Sequence, residues 1–256
     1  MPDNMNPLDH AAISRRLFHP RRTLIKPTFV VGEGDCRLGC HRIEVDPDSP
    51  WVIHFHGNGE LAAESDRHFG PLFTTAGVNV CFIEYRGYGA SGGEPALAAM
   101  LGDGERVVAA LGVPVRKLIA FGRSLGSIYA IELARRLPAL GGLVIESGIA
   151  SVNHHWSLAR EAGVIGCETA AIDAAVEAQF DHRAKLGAYP GRLLVLHAAA
   201  DRLVVPSNAE RLHAWGGGAD KRLVVFPHGD HNSIFFANAP TYTAELHAFL
   251  GRAAAS

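Results

Sequence analysis

Ala120-Phe121-Gly122-Arg123-Ser124-Leu125-Gly126-Ser127 sets one serine between two glycines, with an apolar run, Lys117–Phe121, before it and a helical pattern, Ile128–Leu137, after it. A chain passing abruptly from strand to helix needs residues without bulk at the corner, and glycine supplies them. The turn then lifts Ser124 Oγ out of the sheet and sets it at a helix start. Free backbone N–H groups and partial positive charge gather there. The five-residue pattern is short, and its strand–turn–helix setting is what gives it weight.

Working outward, further apolar runs recur at Trp51–Phe55, Val78–Ile83, Gly142–Ile145, Arg192–Leu196 and Arg222–Phe226. They are near-continuous rather than alternating, as expected of parallel strands covered on both faces. Amphipathic segments separate them. Leu97, Met100, Leu101, Val107, Val108 and Leu111 mark one helix face, and Pro138 with Gly141-Gly142 ends the helix after Ser124. Strand–helix alternation implies a doubly wound sheet. Thr28–Val31 and Arg37–Val45, joined by Gly32-Glu33-Gly34-Asp35, read as an antiparallel hairpin at its edge. The expected organisation is one α/β domain over 1–256, with an N-terminal extension over 1–27. The interval 148–190 is too long for a simple crossover and reads as a helical lid, its Ala-rich core Cys167–Phe180 forming a helix.

Composition narrows the function. The chain has 256 residues, 48% hydrophobic and 20% charged, with a formal net charge of −2. No clustered basic surface suggests nucleic acid as a partner. Arg15, Arg16, Arg21 and Arg22 form the one basic cluster, read as a solvated terminal segment. No run reaches the ~18 apolar residues that span a bilayer, and no signal peptide or prenylation box is seen, so a cytoplasmic protein without a stable membrane anchor is expected. Cys36, Cys40, Cys81 and Cys167 are irregularly spaced and are expected as free thiols, and no metal site or cofactor is expected. The neighbouring His154 and His155 lack the carboxylate or cysteine partners a metal would need.

In doubly wound sheets, reactive groups gather beyond the carboxyl ends of the strands. A serine hydroxyl needs a base to become a nucleophile. Among 14 histidines, His231 lies in a turn directly after the last strand, in Phe226-Pro227-His228-Gly229-Asp230-His231-Asn232. His228 is its rival. Asp201 follows the preceding strand and is the acid expected to orient the imidazole, with Glu146 as the alternative. Adjacent side chains rarely converge, which disfavours Asp230. An oxyanion requires two fixed N–H donors. Leu125 offers one, and the loop His56-Gly57-Asn58-Gly59-Glu60 offers the other at Asn58, with Gly59 second. His54 reads as a core histidine with a hydrogen-bond partner. His56, Gly57, Tyr88 and Trp156 are expected to line the substrate site, although His56 reads better as a brace for the oxyanion loop than as a reacting group.

The segments "HFHGNGE", "EYRGYGASGG", "GRSLGS", "ADRLVVP" and "GDHN" occur in this order from about Phe29 onward. In this the chain resembles small serine α/β hydrolases of the BEM46-like and serine-aminopeptidase-like kind. The resemblance implies an α/β-hydrolase fold with a mostly parallel eight-stranded sheet flanked by helices. It maps nucleophile, acid and base onto Ser124, Asp201 and His231. The implied activity is acyl transfer from a small ester or thioester to water, with a peptidase or a silent binding protein as alternatives. A peptidase normally needs an anchor for the peptide terminus; Glu161 and Glu168 are the nearby lid carboxylates, and a solvated helix face explains them as well. Two departures stand out: Ala198 replaces the glycine after the histidine of the seventh strand, and Asp230 replaces the glycine before the base.

Overall fold

Residues 6–254 are described by a computed structural model. The apolar runs form β3 (Trp51–Phe55), β4 (Asn79–Ile83), β5 (Leu118–Arg123), β6 (Gly142–Glu146) and β7 (Leu193–Ala198), every residue of them buried. Two-sided burial is why their sequences run continuously apolar. They follow the edge hairpin β1 (Phe29–Val31) and β2 (Leu38–Ile43) and precede β8 (Lys221–Phe226). One 8-stranded sheet results, ordered β1-β2-β4-β3-β5-β6-β7-β8. The pairs β1–β2 and β2–β4 are antiparallel and the rest parallel, as the edge-hairpin reading requires.

The helices are α1 (Ala11–Leu17), α2 (Ala62–Thr74), α3 (Asp103–Leu111) and α4 (Gly126–Arg136). Between β6 and β7 come α5 (Val152–Trp156), α6 (Ala162–Ile165), α7 (Thr169–Phe180) and α8 (His182–Ala188). Then follow α9 (Ser207–Trp215), α10 (Ile234–Ala237) and α11 (Ala239–Ala254). One core cluster packs Ile53, Phe55, Ile128 and Ile145 with the N-terminal segment and the helices between β6 and β7, and the other packs Val52, Phe82, Phe121 and Val144 against α2 and α11.

Three expectations need correction. The face Leu97–Leu111 is not one helix: a 3-10 turn, Ala99–Gly102, precedes α3, and Asp9 Oδ1 accepts from the N–H groups of Ala98 and Ala99 at 2.7 and 2.9 Å. The strand before Ser124 runs on through Gly122-Arg123, because Arg123 stands opposite Glu146 in register and the two charges pair. The basic cluster is not a solvated tail. Leu8, Ile13, Leu17 and Phe18 are buried, Arg16 pairs with Glu161 and donates to Trp156 O at 2.8 Å, and Arg21 pairs with Glu64 at 2.7 Å. Glu161 therefore belongs to the contact between α1 and the helical segment between β6 and β7. All four cysteines are free thiols. Among the described residues, no helix is long and apolar enough to cross a membrane, and no three His, Cys, Asp or Glu side chains converge as a metal site.

Candidate active site

β5 and β6 end in register, and each bends sharply at its next residue: φ is +50° at Ser124 and +48° at Ser147. A side chain in this left-handed region costs of order 1–3 kcal/mol unless its surroundings enforce it. The surroundings of Ser124 do so. A Cβ on Gly126 would fall 2.1 Å from Phe55 O, and one on Gly122 would fall 2.6 Å from Gly126 O. Both glycines are thus required by contact between β3, β5 and the start of α4. The Ser124 N–H is fixed by Glu146 O at 2.9 Å.

His231, from the loop after β8, approaches with Nε2 2.9 Å from Ser124 Oγ. Its Nδ1 lies 2.7 Å from Asp201 Oδ2. The other Asp201 oxygen accepts from Leu203 N–H at 2.9 Å and Val204 N–H at 2.8 Å. Burial opposes ionisation of Asp201, but the bonds from His231 and Val204 outweigh it and hold the carboxyl below its ordinary range. An ionised Asp201 makes Nδ1 the protonated nitrogen of His231, leaving Nε2 free to accept the Ser124 proton. His197, fully buried on β7, lies 3.4 Å from Asp201 Oδ2 and donates from Nε2 to Val204 O at 2.7 Å. Burial lowers its pKa and favours the neutral ring.

The rival groups lie elsewhere. Glu146 is occupied by Arg123 Nε at 3.0 Å and by the Tyr242 hydroxyl. Burial raises its pKa. His228 is exposed and meets the fold through its backbone oxygen, which accepts from Asn238. Asp230, at the expected glycine position, caps its own turn by accepting from Asn232 N–H and Ser233 N–H, each at 3.0 Å. Ala198 fits within β7, its methyl buried in the core. Neither departure displaces His231 or Asp201.

Leu125 follows Ser124 at the helix start, and Asn58 lies in the loop after β3; the N–H of neither is taken by another group among the described residues. The Asn58 side chain is clamped. Its Oδ1 accepts from His19 N–H at 2.9 Å and the Tyr88 hydroxyl at 2.7 Å, and its Nδ2 donates to Leu17 O. The N-terminal segment after α1 therefore holds this loop, which composition gave no reason to expect.

Three of the expected substrate contacts turn out to be supports. Tyr88 is fully buried and works through Asn58 and His19. His56 is fully buried between Gly57 O, 2.7 Å from Nδ1, and Glu84 Oε1, 2.8 Å from Nε2. Burial alone would lower its pKa, but Glu84 raises it, as two acceptors on one ring demand. Gly57 donates its N–H to Glu60 at 2.9 Å. Trp156 is half-buried, in edge contact with His155. Burial is the main cause that lowers the His155 pKa. His54 is stacked on Phe121 and flanked by Phe73 and Phe82. Contrary to expectation, its Nδ1 has no hydrogen-bond partner among the described residues.

The comparisons with known proteins agree with this architecture. Residues 47–166 match a family model described as serine aminopeptidase, S33. That span takes in Ser124 and the Asn58 loop but stops short of Asp201 and His231. The uncharacterized protein YfhR of Escherichia coli K12 is 26% identical over 193 residues, which cover 72% of this chain and 63% of YfhR. Protein bem46 of Schizosaccharomyces pombe is 27% identical over 192 residues, covering 73% of this chain and 63% of bem46. The chain thus spans less than two thirds of the length of either relative. Among solved structures, the monoacylglycerol lipase of Paleococcus ferrophilus superposes with a TM-score of 0.65 at 17% identity, over 84% of this chain and 99% of the lipase. Sheet order, strand–turn–helix corner and structural neighbour concur on the α/β-hydrolase fold, and the sequence is similar to BEM46-like and serine-aminopeptidase-like relatives.

Proposed function

We propose that the protein is a serine hydrolase that cleaves a small carboxylic ester or thioester through an acyl-enzyme. One observation carries this reading: Ser124 Oγ, His231 Nε2 and Asp201 form a continuous hydrogen-bonded line at a strained strand–helix corner. His231 takes the proton as Ser124 Oγ attacks the carbonyl carbon, and ionised Asp201 stabilises the imidazolium that forms. The N–H groups of Leu125 and Asn58 meet the developing oxyanion, each donor contributing roughly 3–4 kcal/mol by analogy with single-donor losses elsewhere. His231 then returns its proton to the leaving group, and a water activated by the same ring releases the acyl chain.

The family description favours a second reading, amide or peptide cleavage by the same residues. Of the lid carboxylates, Glu161 is committed to Arg16, while Glu168 is exposed.

The test is hydrolysis of a panel of p-nitrophenyl esters, acyl thioesters and aminoacyl anilides by wild type and Ser124→Ala. Turnover of esters or thioesters that the variant lacks supports the first reading. Turnover confined to anilides moves the assignment to the second, and turnover unchanged in Ser124→Ala removes both.

A further inference from the structure

Arg123, the residue before the serine, ends a strand that is otherwise apolar or glycine, and it is buried to 8% exposure. Its guanidinium reaches both loops of the site from beneath. One nitrogen pairs with Glu60, whose second oxygen accepts Gly57 N–H at 2.9 Å, one residue before Asn58. Another donates to the backbone oxygen of His231 at 2.9 Å and approaches Asn232 Oδ1 at 3.4 Å. Nε lies 3.0 Å from Glu146 Oε1, and the other Glu146 oxygen accepts from Tyr242 on α11. A planar fork with five donors can bind three separate elements at once, which an ammonium cannot do in the same geometry.

We propose that Arg123 is a positioning residue of the Ser124 centre, fixing the oxyanion loop and the His231 loop in relation to one another. The proposal rests on the reading of Ser124 as nucleophile and adds to it the part that sets donor and base distances. Ser124 is held through its own backbone, but His231 and Asn58 sit on loops from opposite sides of β5, and Arg123 bonds to both loops through His231 O and Glu60. Proton transfer and oxyanion binding depend on sub-ångström placement of those two loops, so a loosened clamp lowers turnover without moving a group that touches substrate.

The experiment compares wild type with Arg123→Met, Arg123→Lys and Glu60→Gln, each checked for folding by circular dichroism. Competent serines are counted by fluorophosphonate titration, and kcat and KM per titrated site are measured for an activated short-chain ester over roughly pH 5 to 9. In Arg123→Met, kcat per titrated site is expected to fall about 10- to 100-fold, with KM changed less than about threefold. The acid limb of the kcat/KM profile shifts, because the base no longer holds its distance to Ser124. Arg123→Lys recovers part of the loss, and Glu60→Gln, which keeps an acceptor for Gly57, loses less than Arg123→Met. If Arg123→Met does not fold, the lysine and glutamine variants carry the same comparison. Variants with wild-type kcat per titrated site and an unmoved pH profile, differing only in the fraction folded, overturn the proposal. A wild type that takes no label removes the serine reading itself, and the proposal with it.

Discussion

Asp201 Oδ2 stands 2.7 Å from His231 Nδ1, while Glu146, the other carboxylate at a nearby strand end, turns to Arg123. The choice between the two acids is made by what else each must satisfy. Glu146 balances a buried guanidinium; Asp201 has two backbone amides on one oxygen and the imidazole on the other. Asp201→Asn is therefore expected to lower kcat by about 10⁴, the size seen when a triad loses the charge that sets its tautomer. Glu146→Gln keeps one acceptor oxygen for Arg123 and can donate its amide N–H to the Tyr242 hydroxyl, and should lose far less. Steady-state kinetics of both variants on one ester decides this, and a larger loss in Glu146→Gln would contradict the assignment.

The corner at Ser124 makes a prediction that separates strain from chemistry. Ser124→Ala keeps a Cβ at φ +50°. Ser124→Gly releases it at an entropic cost of roughly 0.5–1 kcal/mol. The glycine variant should be as stable as the alanine variant or more so, by up to about 1 kcal/mol, although both lose activity. Urea denaturation of the two proteins is the check. A glycine variant clearly less stable than the alanine variant would mean that the corner stores no strain.

Tyr88 distinguishes a support from a substrate contact. Tyr88→Phe removes the hydroxyl shared by His19 and Asn58, and leaves the His19–Asn58 bond. The expected cost is about 1–2 kcal/mol of stability, with KM unchanged across esters of different acyl length and a modest fall in kcat. A KM change that grows with acyl length would place Tyr88 in the substrate pocket instead.

Acid stability follows from two buried histidines. His54 has its pKa lowered to about 3 and His182 to about 4, burial being the main cause at each. Both are neutral when folded and take up protons when unfolded, so stability is full above their ordinary pKa of about 6.5 and declines as pH falls toward the folded values. Each contributes a loss of about 2 kcal/mol between pH 7 and 5. His54→Phe, placed among Phe73, Phe82 and Phe121, should flatten the pH dependence by about one proton. Denaturation at several pH values measures the slope. An equal slope in wild type and variant would show that His54 is not buried neutral.

The strands were legible because burial on both faces leaves a continuous apolar trace, and the Ser124 corner because steric closeness admits only glycine at 122 and 126. Asp201 and His231 could be found because each stands just past a strand end. The supports could not be found the same way. Nothing in Arg15-Arg16-Leu17-Phe18-His19 indicates that Leu17 O and His19 N–H would close on Asn58, since that contact joins residues about forty positions apart through backbone groups. Tyr88 reads as a lining residue because an aromatic side chain beside a motif reads alike whether it faces inward or outward, whereas His56 reads better as a brace, and its ring bonds to Gly57 O and Glu84. Arg123 did carry a signal: a charge at the end of a buried run must find partners, and Glu146 was in register to meet it.

The most direct measurement is reaction of the wild-type protein and Ser124→Ala with a fluorophosphonate, followed by intact mass and peptide mapping. A hydroxyl activated by His231 attacks the reagent, so one adduct is expected on Ser124 of the wild type and none on the variant. An adduct at another residue, or no adduct on folded wild-type protein at neutral to alkaline pH, would contradict the account of Ser124 as an activated nucleophile.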